Sequence, residues 1–365
     1  MEKGKAVLLK KIPRPLFFIG GLFLLCLLLH LFSALFTPVA DFAHRYIAAP
    51  VRALLGYITG LFPFSLAEWV ILLIPLWLFL LVFCAVKAAR SGKATKRMIA
   101  VLLALLMVFY VLFVLTLGLG YLTTPLDGRL ALPEVKVNAA SLYQTAEWLL
   151  EEIERVLPQS IGEEGSLLPY SYAEMNSALR EGYRSLKGQY TFLSTLEVGT
   201  KPILASHPMA YTGITGIYTF FTGEANVNTV YPDYATVFTA AHEMAHQRGI
   251  SREDEANFVA FLACAAAEDP YIRYAGHLNL LQYVYNALYR ADKELALSLP
   301  LPDGVKKEFN AYNAVYDKYD NRGIGAFSEA VNNAYLEAMG TEGVVSYGLV
   351  VNLAVAYRDS LSADK

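Results

Sequence analysis

Residues 239 to 257 read TAAHEMAHQRGISREDEAN, and within them His242, Glu243 and His246 form the pattern His-Glu-x-x-His. A helix advances 3.6 residues per turn, so side chains four apart share a face and two imidazoles at that spacing can offer nitrogens to one ion. Glu243 projects about 100° away, where it can reach a water on that ion without taking a ligand position. This is the geometry a zinc hydrolase needs. The bland alternative is a surface helix with two solvated histidines. The surroundings favour the metal: a helix-forming run ATVFTAAHEMAHQ, Gly249 placed to end it in a left-handed cap, strand-like sequence upstream and carboxylates downstream.

A catalytic zinc usually takes three protein ligands and leaves a fourth position open. Ser251 and Asp254 form a capping-box pattern that starts a second helix at about Arg252 and puts Glu253 in its first turn. Glu253, Ala256, Asn257 and Ala260 then share a face that offers a ligand, small residues for close approach, and an amide able to orient a histidine. Helical phase favours Glu253 as the third ligand, with Glu255 as the alternative. Arg252 stands where HExxHxxGxxH enzymes put a third histidine, which excludes that variant.

The rest of the chain says where such a site sits. Of 365 residues, 55% are hydrophobic and 17% charged, with a mean hydropathy of +0.38, which is too apolar for an ordinary soluble globule. Three runs at residues 16–36, 66–86 and 98–119 each approach the ~20 residues that cross a bilayer as a helix. Lys3, Lys5, Lys10, Lys11 and Arg14 precede the first, and Lys87, Arg90, Lys93, Lys96 and Arg97 join the second to the third. The positive-inside rule places both clusters in the cytoplasm and everything after residue 120 outside. The first run is longer than a signal-peptide core and lacks a clear cleavage site, so it is expected to be retained. Two domains follow, a membrane anchor at 1–120 and an extracytoplasmic domain at 121–365. A net charge of −3 gives no sign of a nucleic-acid partner. Cys264 is the one cysteine after residue 120, so that domain holds no internal disulfide.

Within the outer domain, apolar residues at helical spacing mark a helix over 141–157, and Ser171 with Glu174 caps another running to about Leu186. Residues 190–232 are rich in Thr, Val, Ile, Tyr and Phe broken by Gly, the signature of a small sheet, and helices dominate again from Asp233. The apolar stretch 344–357 is too short and interrupted for a span and reads as a core helix. Asn226 and Asn228 alternate on a strand and could line a substrate groove or simply face outward. Tyr274 and His277 are candidate donors to an oxyanion. His30 in the first span reads as facing another helix.

At HEMAH and EDEAN the chain resembles the zincin metallopeptidases whose third ligand is a glutamate in a Glu-x-x-Ala-Asp or Glu-x-x-Ala-Asn motif. That resemblance maps the ligand onto Glu253 and a polar helper onto Asn257. Over most of its length, through FTGEANVN at 221–228, HEMAHQRGISREDEANFVAF at 242–261 and the C-terminal apolar run, it resembles the bacterial membrane family called domain of unknown function 3810. The expectation is a mainly α membrane protein: three N-terminal transmembrane helices in the bacterial cell membrane, then a zincin-like α+β domain. One Zn2+ per chain would be held by His242, His246 and Glu253, with Glu243 as general base acting on a peptide or protein substrate. A non-catalytic envelope protein keeping the fold, or a zinc hydrolase of a cell-wall amide, is the alternative.

Overall fold

The computed structural model of the chain describes residues 14–90, 92–194 and 196–363, so Lys3, Lys5, Lys10 and Lys11 lie outside the described residues. The N-terminal third forms α1 (Arg14–Leu35), α2 (Thr37–Ala43), a π-helical turn (His44–Ala48), α3 (Ala49–Gly60), α4 (Leu66–Leu72), α5 (Ile74–Ala89) and α6 (Gly92–Thr116). Two straight helices are long and apolar enough to cross a membrane, Pro15–Leu35 within α1 and Arg97–Thr116 within α6. They pack together, and His30 Nδ1 lies 2.8 Å from the Tyr110 hydroxyl, so this histidine does face another helix.

The expectation of a third straight span over 66–86 is corrected: α4 and α5 meet at Leu73 with a bend of 53°. Pro75 is the reason. It has no N–H to continue the helical ladder, and its ring would collide with the carbonyl of Ile71, so it instead occupies the first turn of α5.

The buried clusters on either side of residue 120 are separate, and the segment between the first two apolar runs, the first loop, is folded against the later one. Residues 37–72 form helices bound to the later part of the chain by charged and polar groups. The Glu224 carboxylate accepts from the first N–H groups of α4, Leu66 (2.9 Å) and Ala67 (2.8 Å), where the positive end of a helix favours an anion. It also pairs with Lys201 at 2.6 Å, whose ammonium donates to the carbonyls of Thr59 and Phe64. Glu68 in turn accepts from the N–H groups of Leu204 (3.0 Å) and Ala205 (2.6 Å).

After residue 120 come α7 (Ala139–Val156), α8 (Tyr172–Gln189), strands β1 (Lys201–Pro202), β2 (Gly216–Thr219) and β3 (Glu224–Val227), then α9 (Asp233–Gln247), α10 (Glu253–Ala265), α11 (Pro270–Ala291), α12 (Asp303–Tyr319), α13 (Arg322–Ala338) and α14 (Val350–Ala363). The mainly helical fold with a small sheet is as expected. The Ser171–Glu174 capping box is present and α8 runs to Gln189. β3 is central, parallel to β1 and antiparallel to β2, with Gly216 opposite Val227 and Tyr218 opposite Ala225. A single core joins α7, α8, α9, α10, α11 and α14 through Leu149, Ile153, Leu179, Met244, Phe258 and Leu281. The segment expected as a core helix turns through a 3-10 stretch and then α14, which buries Val350, Ala354 and Val355 there.

Every residue of α9 from Tyr234 to Gln247 is buried. A helix buried on all sides is normally apolar throughout, yet this one carries Thr239, His242, Glu243, His246 and Gln247. Burying those groups costs free energy unless they are paired or bonded, so their partners decide whether the fold stands.

The Lys201–Glu224 pair gives a test of the junction. Lys201→Met leaves the Glu224 carboxylate buried without its cation and is expected to destabilise the protein by about 3 kcal/mol. Thermal unfolding in detergent should show a lowered midpoint, and adding Glu224→Gln should recover part of the loss.

Candidate metal centre

The end of α9 is built to stop. Arg248 is buried beneath the helix terminus, where it donates to the carbonyls of Met244 (3.1 Å) and Leu196 (2.5 Å) and lies 4.2 Å from the centre of the Tyr183 ring. A cation there complements the negative end of the helix. Gly249 then adopts φ +98°, a left-handed conformation, and Ile250 N–H returns to the Ala245 carbonyl. A side chain at 249 would also collide with His44 and Arg52 from the first loop. Burial first, then Arg52 and Arg129, hold His44 well below its usual range, so its neutral ring donates from Nε2 to the Gly249 carbonyl at 2.9 Å.

This turn brings α10 back against α9. His242 Nε2 and His246 Nε2 are 3.0 Å apart, and Glu253 Oε2 lies 3.2 and 3.3 Å from them. Ligands about 2.0–2.2 Å from a tetrahedral zinc stand about 3.3 Å from one another. The three atoms therefore fit one face of such a site, and the donor set is the one expected for zinc. His246 Nδ1 bonds the Ile250 carbonyl at 2.7 Å, which fixes the ring with Nε2 toward the cluster. Burial would lower the His246 imidazole, but the Glu253 carboxylate overrides it and holds the group at about 9. Burial likewise opposes ionisation of Glu253, whereas His246 and the bonds to both imidazoles keep it well below the carboxylate range.

Glu243 stands beside the cluster under β2. A Cβ at Gly216 would come within 2.5 Å of its Oε1 and 2.6 Å of Thr239 Cγ2, so only glycine lets the strand lie this close. The Tyr218 backbone N–H donates to the Glu243 carboxylate, while Oε2 is buried with no partner among the described residues. Burial pushes Glu243 up to about 7, against the pull of the two imidazoles. A carboxyl group poised there can take or give a proton near neutrality.

The family model described as Protein of unknown function (DUF3810) matches residues 44–355. The chain belongs to the DUF3810 family. No curated protein and no solved structure matches it. The matched region starts in the π-helical turn of the first loop, so in this DUF3810 chain it includes the helices that clamp Gly249 as well as the site itself.

Glu253 and Glu255 have different partners, and only Glu253 faces the two imidazoles. Glu255 is turned away, accepting from Leu126 N–H and Arg252 at 2.9 Å each and from Arg129 at 3.4 Å. Helix α10 starts at Glu253 without the expected Ser251 cap, because the Ser251 hydroxyl donates to the Leu117 carbonyl at 2.6 Å. Asn257 hydrogen-bonds Tyr283 instead of orienting a histidine, and among the described residues His242 Nδ1 has no partner. Asn226 and Asn228 do not line a groove; both are buried. Their amides donate to the carbonyls of Ile217 and Glu224, and of Ile214, tying the strands together.

Tyr274 and His277 are also away from the centre. Tyr274 donates to the buried Glu308, and His277 bonds the Arg273 carbonyl and packs against Trp148 and Phe261. The tyrosine of α11 that does reach the site is Tyr283. Nine residues after Tyr274, it lies about 180° round the helix. Burial pushes it up to about 12, with Glu253 adding to the effect, and the bond to Asn257 opposes this, as an amide donating to the phenol oxygen would. Tyr335 of α13, bonded to Tyr121 at 3.2 Å, also feels Glu253. A surface cleft beside β1, lined by Ser206, His207, Lys318 and Tyr319, contains none of the cluster.

Metal binding should carry a pH signature. Because the metal-free His246 keeps its proton up to about 9, loading must displace it. Apparent zinc affinity is expected to rise by about tenfold per unit between pH 6 and 8. Chelator competition across that range measures it; a flat profile would contradict the assignment of His246.

Proposed function

We propose that this protein is a membrane-anchored zinc peptidase, with His242, His246 and Glu253 holding one zinc ion and Glu243 as general base. The observation that carries this reading is the triangle of three ligand atoms, 3.0–3.3 Å on a side, beside a carboxylate that shares the site without joining it. A purely structural zinc normally closes all four positions with protein ligands, and three are present. A non-catalytic envelope protein also has no use for a buried carboxylate whose outer oxygen is unbonded.

Zinc bound there would act as a Lewis acid on the scissile carbonyl and acidify a water molecule. Glu243 accepts the proton of that water and passes it to the leaving nitrogen; its position near neutrality suits both transfers. Tyr283, bonded to Asn257 on α10 and close enough to feel Glu253, is the candidate donor for negative charge developing on the carbonyl oxygen. Among the described residues β2 has no strand partner on its outer edge, so an extended peptide can pair along it and lie over Glu243. These features are what a zincin-like site requires.

α1 and α6 both end at the folded domain, and the chain leaves that domain at Leu66, so the bent α4–α5 pair carries it back to the start of α6. With the basic residues near Arg14 and between Lys87 and Arg97 in the cytoplasm, the catalytic domain lies outside the bacterial cell membrane.

Elemental analysis should find near one zinc per chain, lost in His246→Ala. Glu243→Gln should keep the metal and lower peptide hydrolysis by at least about 100-fold. Tyr283→Phe should cost about 100-fold in kcat with metal retained. Gly216→Ala should also keep zinc yet slow hydrolysis by displacing Glu243. Intact protein that takes up no zinc, or a Glu243→Gln variant as active as the parent, sinks the reading.

A further inference from the structure

Helix α13 is weakly packed for its length. Over its 17 residues Leu336 alone is buried, while Ile324, Phe327 and Val331 are 48%, 72% and 54% exposed. Spaced by three and four residues, they form one stripe, and Tyr335 continues it. The opposite side carries Glu329, Asn333 and Glu337, the last two hydrogen-bonded at 2.8 Å. The helix is thus amphipathic with its apolar face uncovered.

Where that stripe leads identifies its cover. The Tyr335 ring meets Phe113 edge-on at 6.4 Å, and Phe113 belongs to the membrane-crossing stretch Arg97–Thr116. The stripe therefore runs directly into the apolar surface of a span. At the other end of α13, Gly325 lies against the Tyr211 carbonyl, just after the Ser206–Ala210 turn. The backbone entering that turn, Leu204 and Ala205, is held by Glu68 in the first turn of the apolar α4–α5 pair. One end of the helix thus sits beside the domain-facing end of α6, and the other meets the segment that Glu68 ties to α4, as they would if the helix ran along the membrane surface between the two.

We propose that α13 is an interfacial helix that lies on the bilayer with Ile324, Phe327 and Val331 among the acyl chains. Helices of this type sink their apolar face about 5–10 Å into the headgroup and acyl boundary. The polar side has two carboxylates and no lysine or arginine within the helix beyond Arg322 at its start, so docking needs no anionic lipid. Tyr335, which continues the stripe, is close enough to feel the Glu253 charge. If the peptidase reading holds, the site then opens at the water–lipid boundary and takes polypeptide segments close to the membrane. The docking itself does not rest on that reading.

The test is a nitroxide scan in proteoliposomes of zwitterionic lipid. Exposed Cys84 is replaced by Ser, and single cysteines are placed in turn at residues 323–333. Collision with oxygen, which concentrates in lipid, is compared with collision with a water-soluble nickel chelate. The expected oxygen-to-nickel ratio is several-fold higher at 324, 327 and 331 than at 329 and 333, with a period of 3.6 residues. Nickel access at the stripe equal to that at 329 would place the helix in water and overturn the proposal. Spin–spin broadening at 327 that vanishes on dilution with unlabelled protein would overturn it in favour of a second copy of the chain. Neither result depends on zinc or on hydrolysis.

Discussion

The distance between two buried imidazoles and a buried carboxylate is set by the connection from Arg248 to Arg252. That stretch reverses the chain through a left-handed Gly249, gives the Ile250 carbonyl to His246, and releases α10 with Glu253 at its first position. Each of the three groups would be expensive to bury alone. Together they compensate one another, and the turn that makes this possible is held from beneath by His44 and from the side by Ser251 on the Leu117 carbonyl. The clamp comes from parts of the chain next to the apolar helices, so the geometry of the centre depends on the segment that looks most like a mere anchor.

Much of the centre was legible because it is local. Helical phase is enough to align His242 with His246, to set Glu243 aside, and to prefer Glu253 over Glu255, and Gly249 announces its own turn. What escaped was decided by tertiary packing. Tyr274 and Tyr283 sit on opposite faces of one helix, and nothing in the pattern of tyrosines along α11 says which face meets α10. Ser251 has the spacing of a helix cap, but a carbonyl more than a hundred residues away in sequence takes its hydroxyl. Asn226 and Asn228 look like groove residues in a strand and are bonded to the neighbouring backbone instead.

The membrane-side segments show the same limit. Composition reports that residues 66–86 are apolar but not that the helix is continuous, and Pro75 was the one sign of the break. Residues 37–60 mix apolar residues with Asp41, Arg45 and Arg52 and carry no span-like run. They are helical, and their small and charged members mark contact: Gly56 lies against Leu196 and Val198, and Asp41 accepts from Thr124. Arg52 is buried against the turn that follows α9.

The charges across the junction also bear on how the protein could be turned over. Lys201 and Glu224 satisfy the backbone of residues 59–67, and Glu68 satisfies that of residues 204–205. A proteolytic cut near residue 120 would therefore not release a self-contained fragment. The Lys201–Glu224 pair would stay together but lose the backbone groups of residues 59–67 that complete its bonding, and the turn at Gly249 would lose His44 beneath it. The apolar N-terminal segment is in this sense part of the protein's interior, and the bonds that fold the later domain also hold the two together.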